Sequence, residues 1–434
     1  MSNRSPNLRR ARISLGVAAI ALMACDTNVL NPSLIATSDL DPSSAAAQSV
    51  LTLSAQQAAW VAYNAIVYAE GVFTGEAWDT GVNVAQPDFG RRTMSPLAGN
   101  NQAPIWWNPL QRALAANEQV VALLHPIAGS DTSQNLARAS FYSGMLIQHM
   151  AESSCVGVIS SGPALTPKQT LDTAIVRLQM AVAIGNKNGG VPAESLATAA
   201  NVALAQIYLQ QGLFANAVTA AAGVPANFAF KANYIVNLAN QGRVANLVYE
   251  GATFGASGST WVVPPAYQAL NDPRVPWIDL KRLAYDTIEY VQAQKYTSDA
   301  SPIRIVSGLE ASYISAEANL QLGNPAPALA LIAVRRAAGG QPPFAGSGTA
   351  AILLDLLDQK ARDFYMEGKK MGDYQRNPAV EPYVSPAGTP YYLPNVTFFG
   401  NEICFPLTLN ESQANTNFPS SYVSPQYVYP PGLP

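Results

Sequence analysis

Apolar residues recur at helical spacing over most of the chain from residue 45 onward. The first such stretch is AAAQSVLTLSAQQAAWVAYNAIVYAEGVF, whose many alanines favour helix. Similar segments predict further helices at 105–125, 133–152, 168–186, 193–211, 214–222, 307–322, 326–338 and 350–367. Short turns separate many of them, which is typical of antiparallel helical neighbours. We therefore predict a mostly α-helical fold with long irregular loops and little β structure.

Two of the predicted helical hairpins share three small residues at equal spacing. In LAQIYLQQGLFANAV and SAEANLQLGNPAPALAL, the matched residues are Ala205 with Ala316, Gly212 with Gly323 and Ala217 with Ala328. These positions follow the tetratricopeptide pattern, in which small residues let two helices approach and glycine ends the first helix. The second segment has Asn319 where the pattern has an aromatic residue. We predict tetratricopeptide-like hairpins, with chance alanine-rich hairpins as the alternative.

Two regions interrupt the helical pattern. Residues 223–305 and 377–434 contain glycine, proline and aromatic residues in close succession, and neither has a sustained helical period. Ligand contacts are often made by loops that a rigid scaffold positions. These two regions are therefore where we expect ligand-binding residues.

The N-terminus has the features of a bacterial export signal. Four arginines precede the apolar run from Ile13 to Ala24, which is shorter than the roughly 20 residues that a membrane-spanning helix needs. The ending Leu-Met-Ala-Cys resembles a lipobox, in which the cysteine is lipidated and becomes the mature N-terminus. We predict a lipoprotein signal peptide at 1–24, lipidation at Cys25, an extended tether at 25–44 and a single domain at 45–434. An ordinary signal peptide with an incidental cysteine is the alternative.

Composition restricts the function further. Charged residues make up 12% of the 434 residues, about half the usual share of roughly 25%, and the net charge is -3. No basic run follows the signal, which argues against a nucleic-acid partner. After Cys25, the remaining cysteines are Cys155 and Cys404. One disulfide between them is possible outside the cytoplasm, but the sequence alone leaves their pairing open.

Catalytic motifs are weak. The two histidines, His125 and His149, lie at a helix end and on a helix, where structural roles explain them. Glu76 and Asp79 offer the carboxylate pair that glycoside hydrolysis uses, but we interpret them as solvated loop acids. The segment GATFGASGST lacks the lysine of a phosphate-binding loop. We predict a protein that is not an enzyme and that has no cofactor and no metal site.

Loop aromatics are the best candidates for contact with a sugar. Aromatic rings stack on the apolar face of a pyranose, while amides and acids bond its hydroxyl groups. The candidate ligand-binding residues are Trp78, Asp79, Asn83, Phe89, Trp261, Tyr267 and Trp277. Trp78 and Trp261 are predicted as exposed platforms because a helix cannot continue past their neighbours, although core packing is the alternative for each aromatic. Trp106 and Trp107 are predicted to pack at a helix start.

Several stretches, in chain order, carry a resemblance to a known family. WWNPLQRALAANEQVVALL contains a characteristic Asn117, and NDPRV resembles an Asp-x-Arg turn. DQKARDFYMEGKKMGDYQR resembles a charged signature, with matches at Asp363, Glu367, Gly368, Asp373 and Arg376 and departures at Gln359, Lys360, Lys370 and Met371. We interpret its charges as structural. With the lipobox and the central hairpin, these stretches resemble the SusD/RagB-like outer-membrane lipoproteins, of which this chain looks like a divergent member.

The resemblance implies a function. SusD/RagB-like proteins are nutrient-binding partners of TonB-dependent transporters, so we expect an outer-membrane lipoprotein on the cell surface, held to the membrane by its lipid alone. It would act as a lid on a SusC-like β-barrel transporter, capture an oligosaccharide and release it into the barrel. Peptide capture is the rival within the family. A surface glycan-degrading enzyme is the rival outside it.

Overall fold

The structure is a computed structural model of the chain. It describes residues 41, 43–80, 86–93, 103–234, 244–253, 260–284, 288–391 and 398–418. The chain divides into two compact units, Met1–Ala47 and Gln48–Pro434. The first contributes few described residues, and the second contains the folded body. The predicted signal peptide, Cys25, most of the tether and Asn83 lie outside the described residues, so these features stay predictions.

Helices dominate the described residues, as the apolar pattern predicts. They are α1 (Ala45–Phe73), α2 (Gln86–Arg91), α3 (Asn108–Leu124), α4 (Gln134–Ser153), α5 (Pro167–Asn188), α6 (Val191–Gln210), α7 (Phe214–Ala221), α8 (Leu247–Thr253), α9 (Pro265–Gln268), α10 (Gly308–Gln321), α11 (Ala326–Ala338), α12 (Thr349–Asp363), α13 (Lys370–Arg376) and α14 (Leu409–Ala414). Each predicted helical segment coincides with one of these helices. Among the described helices, none has both the length and the apolar character that crossing a membrane requires.

Local caps explain where several helices begin. Thr166 precedes α5 and forms a capping box with Gln169, in which each side chain bonds to the backbone of the other residue. The hydroxyls of Ser133 and Ser307 accept backbone N–H groups at the starts of α4 and α10. These caps satisfy backbone donors that the first turn of a helix otherwise leaves without partners.

The two predicted repeats form hairpins with the same turn. Gly212 and Gly323 have φ angles of 71° and 84°, in the left-handed region that glycine adopts without strain. The N–H that follows each glycine donates to the carbonyl five residues earlier, from Leu213 to Tyr208 and from Asn324 to Asn319, at 2.8 and 2.9 Å. Asn319 can therefore replace the aromatic residue without loss of the turn, because the hydrogen bond of the turn is made by the backbone carbonyl of Asn319 and not by its side chain. Helix α7 also packs against α10, which joins the hairpins α6–α7 and α10–α11.

Strands are short, as predicted. They are β1 (Trp78–Asp79), β2 (Ala229–Ala232), β3 (Trp261–Val262), β4 (Trp277–Leu283), β5 (Glu289–Ala293) and β6 (Ile303–Ser307). Each of the pairs β1–β3, β2–β6 and β4–β5 is antiparallel. Five of the six strands lie wholly or partly in the irregular region 223–305. Its described part contains no helix longer than α8.

The C-terminal segment returns to the core. The Phe405 ring lies 5.0 Å from those of Phe73 and Phe89 and 4.9 Å from that of Trp106. Trp106 and Trp107 are both 2% exposed, which confirms their packing role. Next to Phe405, a disulfide joins Cys155 to Cys404 and answers the question of pairing that the sequence leaves open. Such bonds persist in oxidising compartments, in agreement with the predicted export.

Candidate functional site

The strand pair β1–β3 brings the two predicted platforms together but buries one of them. Trp78 lies opposite Val262, and Asp79 lies opposite Trp261. Trp261 is 1% exposed, and its indole N–H donates to the carbonyl of Val248 at 3.1 Å. The prediction that Trp261 is an exposed platform is therefore wrong. Strand pairing places this large ring in the core. There it is shielded from solvent, and its N–H group still has a hydrogen-bond acceptor.

Asp79 and Phe89 are also buried, contrary to the expectation of loop exposure. Asp79 is fully buried and accepts a hydrogen bond from the Tyr68 hydroxyl at 2.6 Å. Phe89 is 2% exposed, with its ring edge against Phe405. Asp79 belongs to the strand β1 and Phe89 to the helix α2, and each of these elements places its side chain in the core. In this structure neither offers a surface to a ligand.

Tyr267 is a third correction. It is fully buried, with its ring centroid 4.8 Å from those of Tyr365 and Tyr383, and its hydroxyl accepts a hydrogen bond from Lys370 at 3.1 Å. Its position in the first helical turn after Pro264-Pro265 places it in the core. Burial raises the pKa of this tyrosine well above its usual value, and nearby Glu76 raises it further.

Trp78 and Trp277 retain accessible surface. Trp78 is half-buried, and its ring centroid lies 5.8 Å from that of Tyr391. Trp277 begins β4 and is 37% exposed, next to Ile278 at 47%. Asn83 lies outside the described residues. The ligand-binding role of Trp78 and Trp277 therefore stays a prediction.

Two of the candidate catalytic groups, Glu76 and His149, are buried, whereas His125 is exposed at the end of α3. Glu76 is 1% exposed and accepts the backbone N–H of Met366 at 3.0 Å, so its interpretation as a solvated loop acid is wrong. Burial raises the pKa of Glu76 to about 7, although nearby Lys370 acts in the opposite direction. His149 is 2% exposed, and burial lowers its pKa to about 4. A substrate has no access to either group in this structure.

The charged signature forms a buried ionic network, which confirms its structural interpretation. Glu367 is 3% exposed and pairs with Lys295 at 2.6 Å and Arg304 at 2.8 Å. Asp373 pairs with Lys360 at 2.7 Å. Because an unpaired buried charge is strongly destabilising, these partners are required for the segment to pack. The network fixes the turn between α12 and α13 against the rest of the fold.

The departures from the signature find partners of their own. Gln359 accepts a hydrogen bond from Arg274 at 2.9 Å, in the position where the signature has an acid. Arg274 also bonds to Asp363 at 3.2 Å and to Asp272 at 2.7 Å. The NDPRV turn and the charged signature are therefore parts of one network. None of these residues lines the cleft described next.

An open cleft of about 510 Å³ lies between α1, α4, the first turns of α6 and β2. We call it the helical cleft. Its lining residues combine aromatic rings, amides and cations. They are Gln56, Trp60, Arg138, Tyr142, Pro192, Ser195, Leu196, Asn227, Ala229, Phe230, Lys231 and Asn233.

Trp60 is the central aromatic residue of the helical cleft. It is half-buried, and its indole N–H donates to the Tyr142 hydroxyl at 2.8 Å. Tyr142 is itself 1% exposed, and its ring packs near that of Phe230 at 6.3 Å. Burial raises the pKa of Tyr142 above its usual range, so its hydroxyl remains protonated. The Trp60 indole is thus held through its N–H and retains accessible surface.

The amides complete a surface suited to hydroxyl-rich ligands. Gln56 lies one helical turn before Trp60, and Asn227 and Asn233 are exposed at the opposite side of the cleft. Amides both donate and accept hydrogen bonds, as sugar hydroxyls require, while an aromatic face accepts the apolar side of the ring. Pockets that bind small ligands typically combine such groups.

Sequence reasoning missed the helical cleft because Trp60 lies within an apolar helical pattern, which predicts a packing role for it. A signal was nevertheless present. Gln56 and Trp60, and likewise Arg138 and Tyr142, are polar–aromatic pairs four residues apart, which places each pair on one helix face. The two faces meet across the cleft. Their meeting depends on tertiary packing that the spacing does not reveal.

Fold and cleft together define a class of protein, a tetratricopeptide-like helical scaffold with an open cleft. Comparison with solved structures makes this class more specific, because the chain has the SusD-like fold. It is similar to the surface glycan-binding protein A from Bacteroides fluxus, with a TM-score of 0.66, 14% identity and coverage of 86% of this chain and 97% of that one. This result confirms the predicted fold and the resemblance to a divergent SusD-like protein.

Two further structures show the same likeness. A SusD superfamily protein from Bacteroides vulgatus has a TM-score of 0.62 and 14% identity, covering 87% of this chain and 98% of that one. A SusD-like carbohydrate binding protein from the same organism has a TM-score of 0.59 and 13% identity, covering 86% and 96%. No protein-family model matches the sequence, and no curated protein matches it either. The likeness thus lies in the fold.

Proposed function

We propose that this protein binds glycans in the helical cleft, without catalysing a reaction, and delivers them to a TonB-dependent transporter of the outer membrane. The observation that carries the proposal is the half-buried Trp60 ring, held by Tyr142 within a cleft edged by amides. A preformed ring needs no reordering when a sugar stacks on it, so little conformational entropy opposes binding.

The state of the candidate catalytic groups supports binding without chemistry. Glu76 and Asp79 are buried and accept hydrogen bonds from the protein, and His149 is buried beside Glu70. A general acid or base must reach the proton that it transfers. The surface glycan-degrading enzyme is therefore the weaker reading. Incubation of the protein with a bound oligosaccharide, followed by chromatography, should give no cleavage products.

The fold supports delivery to a transporter, as does the lipobox ending at Cys25. A lipid anchor would hold the protein on the outer membrane at the cell surface, where a SusC-like barrel is a natural partner. We expect a transporter gene beside the gene for this chain, and copurification of the two proteins from detergent-solubilised membranes. Copurification should persist when Trp60 is replaced, because ligand binding and transporter contact use different surfaces in this proposal.

The test of glycan binding compares two tryptophans. Trp60→Ala should weaken binding of a glycan hit from an array by about tenfold, which is the loss expected for one stacking ring. The comparison variant is Trp277→Ala, which tests the rival loop surface predicted from the sequence. It removes an exposed indole outside the helical cleft and leaves the affinity unchanged if the helical cleft is the site. Trp60→Phe keeps a ring but loses the bond to Tyr142, and it guards against a folding defect in the alanine variant.

The outcomes distinguish the rival readings. Loss of affinity in Trp277→Ala alone would move the site to the loop surface predicted from the sequence. Binding of a peptide pool, with no glycan bound, would replace glycan capture by peptide capture. Product formation from a bound glycan would show an enzyme.

A further inference from the structure

Among the described residues that line the helical cleft are two cations and no carboxylate. Arg138 and Lys231 are among its lining residues, whereas no aspartate or glutamate is. The nearest acid in sequence, Glu194, is exposed on α6 beside Ser195 but does not line the cleft. The cleft is therefore positive in a chain whose net charge is -3. A positive cleft in a protein of negative net charge favours a ligand of the complementary charge, which is negative.

Arg138 differs from the other half-buried arginines that the structure describes. It is half-buried on α4, yet within the described parts of the chain it forms no ion pair and no side-chain hydrogen bond. Other arginines of similar burial have carboxylate partners, as Arg177 has Glu118 at 2.7 Å and Arg335 has Asp363 at 2.5 Å. A guanidinium presents a planar set of donors that matches a carboxylate or a sulfate. In Arg138 this set is available to a ligand.

Lys231 supplies a second positive charge from a different element. It lies on β2, next to Phe230, and its side chain is exposed. Among the described residues it has no acidic partner either. Arg138 and Lys231 thus belong to a helix and to a strand that both line the cleft, together with the aromatic residues Trp60 and Phe230.

We propose that the helical cleft binds an anionic saccharide, whose carboxylate or sulfate contacts Arg138 and Lys231 while a sugar ring of the same molecule stacks on Trp60. This proposal rests on the proposed function and adds the chemical class of its ligand. The aromatic ring recognises a sugar, and the cations select its charge. A uronic acid and a sulfate ester are the two sources of that charge.

The first experiment uses the full-length chain, purified in mild detergent, on an array of neutral, uronate-bearing and sulfated glycans. The strongest binder is then titrated in parallel with its neutralised form, which is carboxyl-reduced for a uronate or desulfated for a sulfate ester. We expect the strongest binder to be anionic, with a dissociation constant about tenfold lower than that of its neutralised form. Loss of affinity on carboxyl reduction identifies a uronate as the source of the charge, and loss on desulfation identifies a sulfate ester.

Variants link the charge preference to the cleft. Arg138→Gln should reduce the preference for the anionic form about tenfold, and Lys231→Gln, on an exposed position, should reduce it without affecting the fold. Arg112→Gln is the control, because it removes an equal charge from an exposed position of α3 outside the cleft. Binding to wild type should weaken as salt is raised, since screening acts within about 8 Å at physiological ionic strength.

Each outcome decides the proposal. A neutral strongest binder, equal binding of the neutralised form, or an unchanged preference in both cleft variants would overturn the anionic class. If that neutral binder still depended on Trp60, glycan binding itself would stand. If no glycan bound and an acidic peptide did, the proposed function would fail together with this inference.

Discussion

The buried carboxyl of Glu70 should make the stability of this protein depend on pH above neutrality. Glu70 lies on α1 and is 1% exposed. Burial raises its pKa to about 8, although the Ser153 hydroxyl, at 2.6 Å, and the charge of Lys369 act in the opposite direction. His149 lies 3.4 Å from Glu70, and burial lowers the histidine pKa to about 4. Both groups are therefore predominantly neutral in the folded protein at pH 7.

The two groups have opposite effects on stability. An acid whose pKa is raised from 4.5 to about 8 holds a proton in the folded chain but not in the unfolded one, so stability falls as pH rises through that window. A histidine whose pKa is lowered from 6.5 to about 4 binds its proton mainly in the unfolded chain, so stability rises with pH between these values. Below pH 6.5 the two slopes oppose each other. Above pH 6.5 the contribution of His149 fades within about one pH unit, and Glu70 dominates this pair.

The expected magnitude follows from proton counting. One proton is worth about 1.4 kcal/mol per pH unit, and the slope for Glu70 halves as pH approaches 8. Its contribution to the free energy of unfolding therefore falls by about 1.5 kcal/mol between pH 6.5 and 8. Glu70→Gln keeps an acceptor for Ser153 but cannot ionise. We expect the variant to gain about 1.5 kcal/mol relative to wild type over this interval.

The assay is urea unfolding followed by tryptophan fluorescence at pH 6.5 and at pH 8. Other buried acids, among them Glu76, titrate nearby, so the test is the difference between variant and wild type. The control is Glu118→Gln. Burial raises the pKa of Glu118, but hydrogen bonds from Arg177 and Ser143 outweigh this and lower it, so its loss should be equal at both pH values. An identical pH dependence in wild type and Glu70→Gln would refute the reasoning.

Three further predictions concern the core, the anchor and the disulfide. Trp261→Ala should lower the free energy of unfolding by about 3–5 kcal/mol, whereas Trp277→Ala should lower it by less than about 1 kcal/mol, as measured by urea unfolding. Cys25→Ala should move the protein out of the membrane pellet on cell fractionation, and unchanged retention, with no diacylglyceryl label on wild type, would contradict lipidation. Replacing Cys155 and Cys404 together by serine should cost roughly 2–5 kcal/mol, and a melting temperature equal to that of wild type would oppose this.

The helices and the repeat hairpins could be predicted because their signals are local. The period of apolar residues lies within each helix, and Gly212 and Gly323 mark turns that depend on a few neighbours. The same reasoning explains why α13 was not predicted as a separate helix. Its seven residues, Lys370–Arg376, are too few for a periodic signal and are held by ion pairs with distant elements.

Burial of the candidate site residues could not be predicted because it depends on pairs that are far apart in the chain. Trp261 is buried by strand pairing with Asp79, and no local feature of either segment indicates the other. The sequence did locate Trp277 in an irregular segment, where it keeps an exposed surface. For Trp60 the discrepancy is reversed. Its apolar helical pattern predicts packing, but the residue lines a cleft to which α4 and β2 also contribute.

The bond between Cys155 and Cys404 has a consequence for survival in an environment that contains proteases. It links positions 249 residues apart. A single peptide-bond cleavage anywhere between them gives two fragments that remain covalently joined. Exposed segments of that interval, such as the strand β4 with its exposed Trp277 and Leu283, can therefore be nicked without release of the C-terminal fragment. On a gel, such a nicked chain would migrate as one species until a reducing agent is added.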